Sequence, residues 1–62
     1  MKLYYIEYKN KGDYSFGEEI EAPSEHLAMI KLVEILLSED DYISRLDNIT
    51  EITPELKEHL KN

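Results

Sequence analysis

The side chains able to do chemistry are few and scattered. His26 and His59 fall in two different predicted helices, and the chain holds no third histidine and no cysteine. Neither histidine has a second ligand at zinc spacing. Ser15, Ser24, Ser38 and Ser44 lack a neighbouring histidine and the strand-to-helix elbow that exposes a nucleophile. Gly12 and Gly17 are the two glycines of the chain, too few to cradle a phosphate. Asp40 and Asp41 are adjacent acids without the central glycine and terminal glutamate of a calcium loop. No nucleophile, base or metal set converges, so the sequence reads as a non-enzyme with no cofactor.

What stands out instead is charge. Asp and Glu total 14 against 7 Lys and Arg, a formal net charge of -7 with a pI near 4.6. Direct nucleic-acid binding is disfavoured, because that affinity rests on basic side chains neutralising phosphates. The acids fall into two groups. Glu18, Glu19, Glu21 and Glu25 end the second predicted strand, and Glu39, Asp40, Asp41, Asp47 and Glu51 follow the long helix. Such groups keep a small apolar-rich chain dispersed. They also suit docking on a protein with a basic surface, such as a nuclease, a nucleic-acid sensor or a defence protein. Glu39, Asp40, Asp41, Glu18, Glu19 and Glu21 are therefore candidate partner-binding residues. Leu3 and Tyr5 join them, because both are expected on the sheet face away from the helix, and tyrosine favours interfaces. An equally plain reading has the final helix fold back over them.

The elements that must position these residues follow from pattern. Leu3 to Lys9 and Tyr14 to Ala22 read as strands joined by the loop Asn10-Lys11-Gly12, with Gly12 at the positive-φ position. That register pairs Tyr8 with Tyr14 and Ile6 with Phe16. It also places Tyr4, Ile6, Tyr8, Tyr14, Phe16 and Ile20 on one face, expected beneath a helix. Ser24 caps that helix, which runs to about Leu37. Ala28, Met29, Leu32, Val33 and Leu36 centre its apolar face, flanked by Ile30, Ile35 and Leu37. Lys31, Glu34 and Ser38 form a narrow polar stripe. A one-sided helix buries an arc only a little over ~100° wide, so this wider arc calls for a second surface. Glu39 to Leu46 reads as a short second helix, with an extended reading open for Tyr42 to Arg45. Asn48 to Ile52 reads as a third strand, and Thr53-Pro54-Glu55 as the start of a final helix.

The expected architecture is α+β in ββαβ(α) order: a β-hairpin plus third strand, a small antiparallel sheet packed against one long helix. Sixty-two residues make one domain. A chain this short buries only ~60% of its unfolded surface. With no cysteine and no visible metal site, self-association as a homodimer is the expected staple. No apolar run is long enough to span a membrane, and the start does not read as a secretory signal, so a cytoplasmic location is the default.

The stretch Glu19-Ile20-Glu21-Ala22-Pro23-Ser24-Glu25-His26-Leu27-Ala28-Met29-Ile30-Lys31-Leu32, after a tyrosine-rich hairpin, resembles the strand-to-helix junction of tiny phage and mobile-element proteins. Some of those are acidic anti-CRISPR and anti-defence inhibitors. The hairpin-then-helix start is also similar to HicB-type antitoxins, in which an acidic partner neutralises a basic RNase. The chain lacks the Pro-Gly turn and third hairpin strand expected of such an antitoxin. The resemblance implies inhibition by binding and carries no site residues.

Overall fold

The computed structural model describes residues 1–53. Four elements follow in order: β1 (Lys2–Asn10), β2 (Ser15–Ala22), α1 (Glu25–Ser38) and β3 (Ile43–Ile52). They form an α+β fold of ββαβ order, with an antiparallel sheet in the order β2-β1-β3 and the helix on one face. The expected final helix from Thr53-Pro54 lies outside the described residues.

The hairpin keeps the expected loop length but starts one residue later. Tyr8 pairs with Phe16, Tyr4 with Ile20 and Lys2 with Ala22. The expected register would have set Tyr4 against Glu18. The observed one matches apolar with apolar beneath the helix, which is why Ile20 and Ala22 are buried. Asn10 anchors the loop. Its carboxamide oxygen accepts from the N–H groups of Gly12 (3.1 Å) and Tyr14 (3.0 Å), and its carbonyl accepts from Asp13 (3.0 Å). The left-handed residue is consequently Asp13, with φ 63°, and Gly12 does not have positive φ.

Even-numbered residues of β1 and β2 face the helix. Tyr4, Ile6 and Tyr8 with Ile20 and Ala22 form the sheet side of the core, and Ala28, Leu32 and Leu36 form the helix side. Met29, Ile43 and Ile49 pack against it from half-buried positions. Ile6 and Leu32 are its largest fully buried side chains. Tyr14 and Phe16 do not pack beneath the helix as expected. They are 69% and 47% exposed, because the helix leaves the hairpin end of β2 uncovered.

α1 starts at Ser24, whose hydroxyl accepts from the Leu27 N–H at 3.3 Å. It ends in a left-handed turn. The Asp41 N–H donates to the Leu36 carbonyl (2.8 Å) and the Asp40 N–H to that of Leu37 (3.1 Å), with Asp40 at φ 56°. This pair of bonds ends many helices, usually with glycine at the left-handed position. The chain then runs straight into β3. The predicted second helix over Glu39 to Leu46 does not form, and the extended alternative for its later residues holds. Ile43 to Leu46 gain ladder bonds along β1 that a short helix would forgo, which lengthens the third strand to Ile43–Ile52. Its register against β1 shifts twice, between Glu7 and Tyr8 and between Lys9 and Asn10.

Candidate protein-binding surface

Strand alternation divides the first acidic group. Glu18 shares the helix side of the sheet with Phe16 and Ile20, whereas Glu19 and Glu21 lie on the opposite side, beside Tyr5 and Leu3 respectively. Glu18 therefore comes towards the acids that follow the helix, and Glu19 and Glu21 do not.

The meeting point is Tyr8. Its side chain is buried at the hairpin end of the core, 6.0 Å from the Phe16 ring. Burial holds the Tyr8 phenol above its ordinary 10.0, and the carboxylates of Glu18, Asp41 and Glu39 raise it further. Acids from two separate segments thus bear on one hydroxyl. Exposed Phe16 lies on the same face of β2 and exposed Tyr14 stands in the loop just before that strand, so the corner is both anionic and aromatic. A cationic side chain would find carboxylates to pair with and ring faces to stack on.

The run Glu39 to Asp41 divides in the structure. Glu39 and Asp40 are exposed, but Asp41 is half-buried and ties the loop after α1 to the hairpin. Its carboxylate accepts from the Lys11 N–H (3.1 Å), the Asn10 carboxamide (3.1 Å) and its own neighbour Tyr42 N–H (2.8 Å). The Lys11 backbone bond is the largest influence holding the Asp41 carboxyl below its ordinary value. Lys11 also reaches the Asp40 carbonyl and lies 3.5 Å from the Asp40 carboxylate.

On the opposite sheet face, Leu3 is half-buried and pairs with buried Ile52, apart from the main core. Tyr5 is 37% exposed, and its ring lies across Gly17, where an added Cβ would meet the hydroxyl at 2.0 Å. Leu3 and Tyr5 thus share a face with Glu19 and Glu21, and their ring and aliphatic surface is partly occupied within the chain.

α1 leaves open the wide apolar arc that called for a second surface, and Val33, expected at the centre of its core-facing side, lies on the exposed part instead. Leu27, Ile30, Val33, Ile35 and Leu37 are all 40% exposed or more. At about 100° per residue, Ile30, Val33 and Leu37 line one flank, well away from the buried Ala28-Leu32-Leu36 row. The wide apolar arc gave the signal for this row. The exposure of Phe16 and Tyr14 could have been found from Glu18, an acid at a sheet position the helix would otherwise cover.

Among the described residues no group of histidines and acids could hold a metal ion, and no helix is long and apolar enough to cross a membrane. Comparison with known protein families, curated proteins and solved structures finds no match.

Proposed function

We propose that the protein works by binding another protein, as a small acidic inhibitor that occupies the basic site of a nucleic-acid-acting enzyme or defence protein. A cytoplasmic setting and a phage or mobile-element origin go with this reading. The observation that carries it is the convergence of Glu18 with Glu39 and Asp41 beside exposed Phe16 and Tyr14. Arginine and lysine side chains that normally contact phosphate would meet carboxylates and aromatic faces there. The net charge of -7 would speed such an encounter.

Affinity capture with the wild-type chain as bait tests it, beside a Glu18→Lys, Glu39→Lys double variant. Both residues are exposed, so the fold should survive, and circular dichroism would check that. A partner with a basic surface should be retained by the wild type and lost by the double variant. Its association should slow steeply as salt approaches 0.15 M, where the Debye length is about 8 Å. Binding indifferent to both salt and charge reversal would overturn the inhibitor reading.

A second reading is a non-catalytic assembly module that acts through homo-oligomerisation. The exposed apolar row on α1 favours it. Sedimentation over a concentration series would detect it directly.

A further inference from the structure

We propose that the Tyr8 hydroxyl, with the Glu18 and Glu39 carboxylates, receives one arginine side chain of the partner protein, its guanidinium lying flat on the Phe16 ring. This names the side chain that the surface takes, and it rests on the inhibitor reading.

The first observation is the hydroxyl itself. Tyr8 is 3% exposed, and its hydroxyl joins no hydrogen bond among the described residues. A phenol so deeply buried ordinarily finds a partner. No described polar side-chain atom is sealed from solvent without one. The Tyr8 oxygen is therefore not sealed, and the small part of this residue that reaches the surface includes it. The ring is held by the core, and it shows the outside a hydrogen-bonding atom with nothing to bond.

The second observation is what surrounds that oxygen. Tyr8 pairs with Phe16 and Ile6 with Glu18, so Glu18 is a diagonal neighbour of Tyr8 on the helix side of the sheet. Two residues further along that side of β1, the Asn10 carboxamide donates to Asp41 at 3.1 Å. Glu39 closes α1, its N–H on the carbonyl of buried Leu36 at 3.0 Å. This is the negative end of the helix, and its last turn holds no basic residue. The three carboxylates hold the phenol above its ordinary value, and no cation offsets them. Asp41 already accepts three hydrogen bonds, so it adds field and little else. Glu18 and Glu39 are exposed and make no ion pair among the described residues. Lys2, Lys11, Lys31 and Arg45 are each engaged with another group, and Lys9 lies on the opposite side of β1. The cation that suits this corner must come from another molecule.

The third observation is shape. The Phe16 ring, 6.0 Å from that of Tyr8 and 47% exposed, sets a flat apolar surface beside the acceptors. A guanidinium is planar and weakly hydrated, so it donates in its plane while its face stacks on a ring. An ammonium is a compact, strongly hydrated point charge and does not do both at once.

Tyr8→Phe tests this, because it removes the hydroxyl and keeps the buried ring. With no hydrogen bond to lose, the variant should melt no lower than the wild type. A capped Ala-Arg-Ala peptide should shift the Tyr8 and Phe16 ring resonances of the wild type in an NMR titration. Tyr8→Phe should weaken that binding about tenfold, the scale of one hydrogen bond to a charged group. The citrulline peptide keeps the shape without the charge, and the lysine peptide keeps the charge without the plane. Both should bind more weakly than the arginine peptide. Equal binding by either, or arginine binding unchanged in Tyr8→Phe, would overturn this site. So would the absence of any shift at about 20 mM peptide, above the millimolar range of a single side chain. A basic partner captured equally by wild type and Tyr8→Phe would also overturn it, while leaving the inhibitor reading in place. Arginine binding through Tyr8 with no basic partner captured would overturn the inhibitor reading and leave the guanidinium site.

Discussion

Two left-handed residues and one carboxylate organise the hairpin end of the molecule. Asp13 and Asp40 both have positive φ, where a side chain costs about 1 kcal/mol or more relative to glycine, somewhat less for Asp. Asp13→Gly should therefore stabilise the fold by up to about 1 kcal/mol, and Asp13→Val should cost about 1–2 kcal/mol. Gly12→Ala tests the alternative turn. Its Cβ would crowd the Tyr14 ring at 3.0 Å without backbone strain, and Tyr14 is exposed and able to move. Chemical denaturation of the three variants would rank them. Asp41 contributes a pH signature. Its folded carboxyl titrates below the ordinary 3.8, so its stabilisation is present above that value and lost as pH falls through the folded one. Asp41→Asn should be less stable than wild type at neutral pH, and the gap should close below about pH 4 in thermal melts. Equal gaps at both pH values would mean the bonds from Lys11 and Asn10 do not depend on the charge.

At the scale of elements, burial separates residues that the sequence treats alike. Leu32 is 1% exposed and Leu37 64%, though both are leucines on one helix. Leu32→Ala should cost about 2–5 kcal/mol. Leu37→Ser should change the stability of the single chain by about 0.5 kcal/mol or less. The sheet, the helix and their order were legible because each has a local cause: alternation in β1, Ser24 at the N-cap, β-branched residues in β3. The loop register was not, because parity alone permits both pairings. Choosing between them requires knowing that Ile20 and Ala22 lie beneath the helix, which is a tertiary fact. The extent of β3 was missed for a similar reason. Glu39-Asp40-Asp41 carries good helix-start chemistry, but a left-handed Asp40 sends the chain back along β1. Of the candidate site, the acids were visible and their placement was not. Glu18 parted from Glu19 and Glu21 through strand alternation, and Asp41 was already engaged in holding the loop.

For the whole molecule, both sheet edges are guarded against unwanted pairing. β2 carries Glu18, Glu19 and Glu21 along its edge, and the Lys31 ammonium donates to the Glu21 carbonyl at 2.9 Å. β3 is bent by its two register shifts. Glu19→Val with Glu21→Val should leave the fold intact and raise the rate of aggregation, followed by light scattering. An unchanged rate would assign those acids to partner contact alone.

The strand order has a consequence for how the chain reaches its native state. β1 occupies the centre of the sheet, and Leu3 finds its neighbour in Ile52, almost the full described length away. During synthesis the hairpin of β1 and β2 can close within microseconds of emerging, through a short loop held by Asn10. One edge of β1 then waits, unpaired, until β3 has left the ribosome. The segment between must be brought round as a closed loop before any of the β1–β3 ladder returns free energy, so that step sets the pace of folding. The strand made first is thus the last to be satisfied, and for that interval its exposed edge is the point at which a nascent chain is most open to pairing with another.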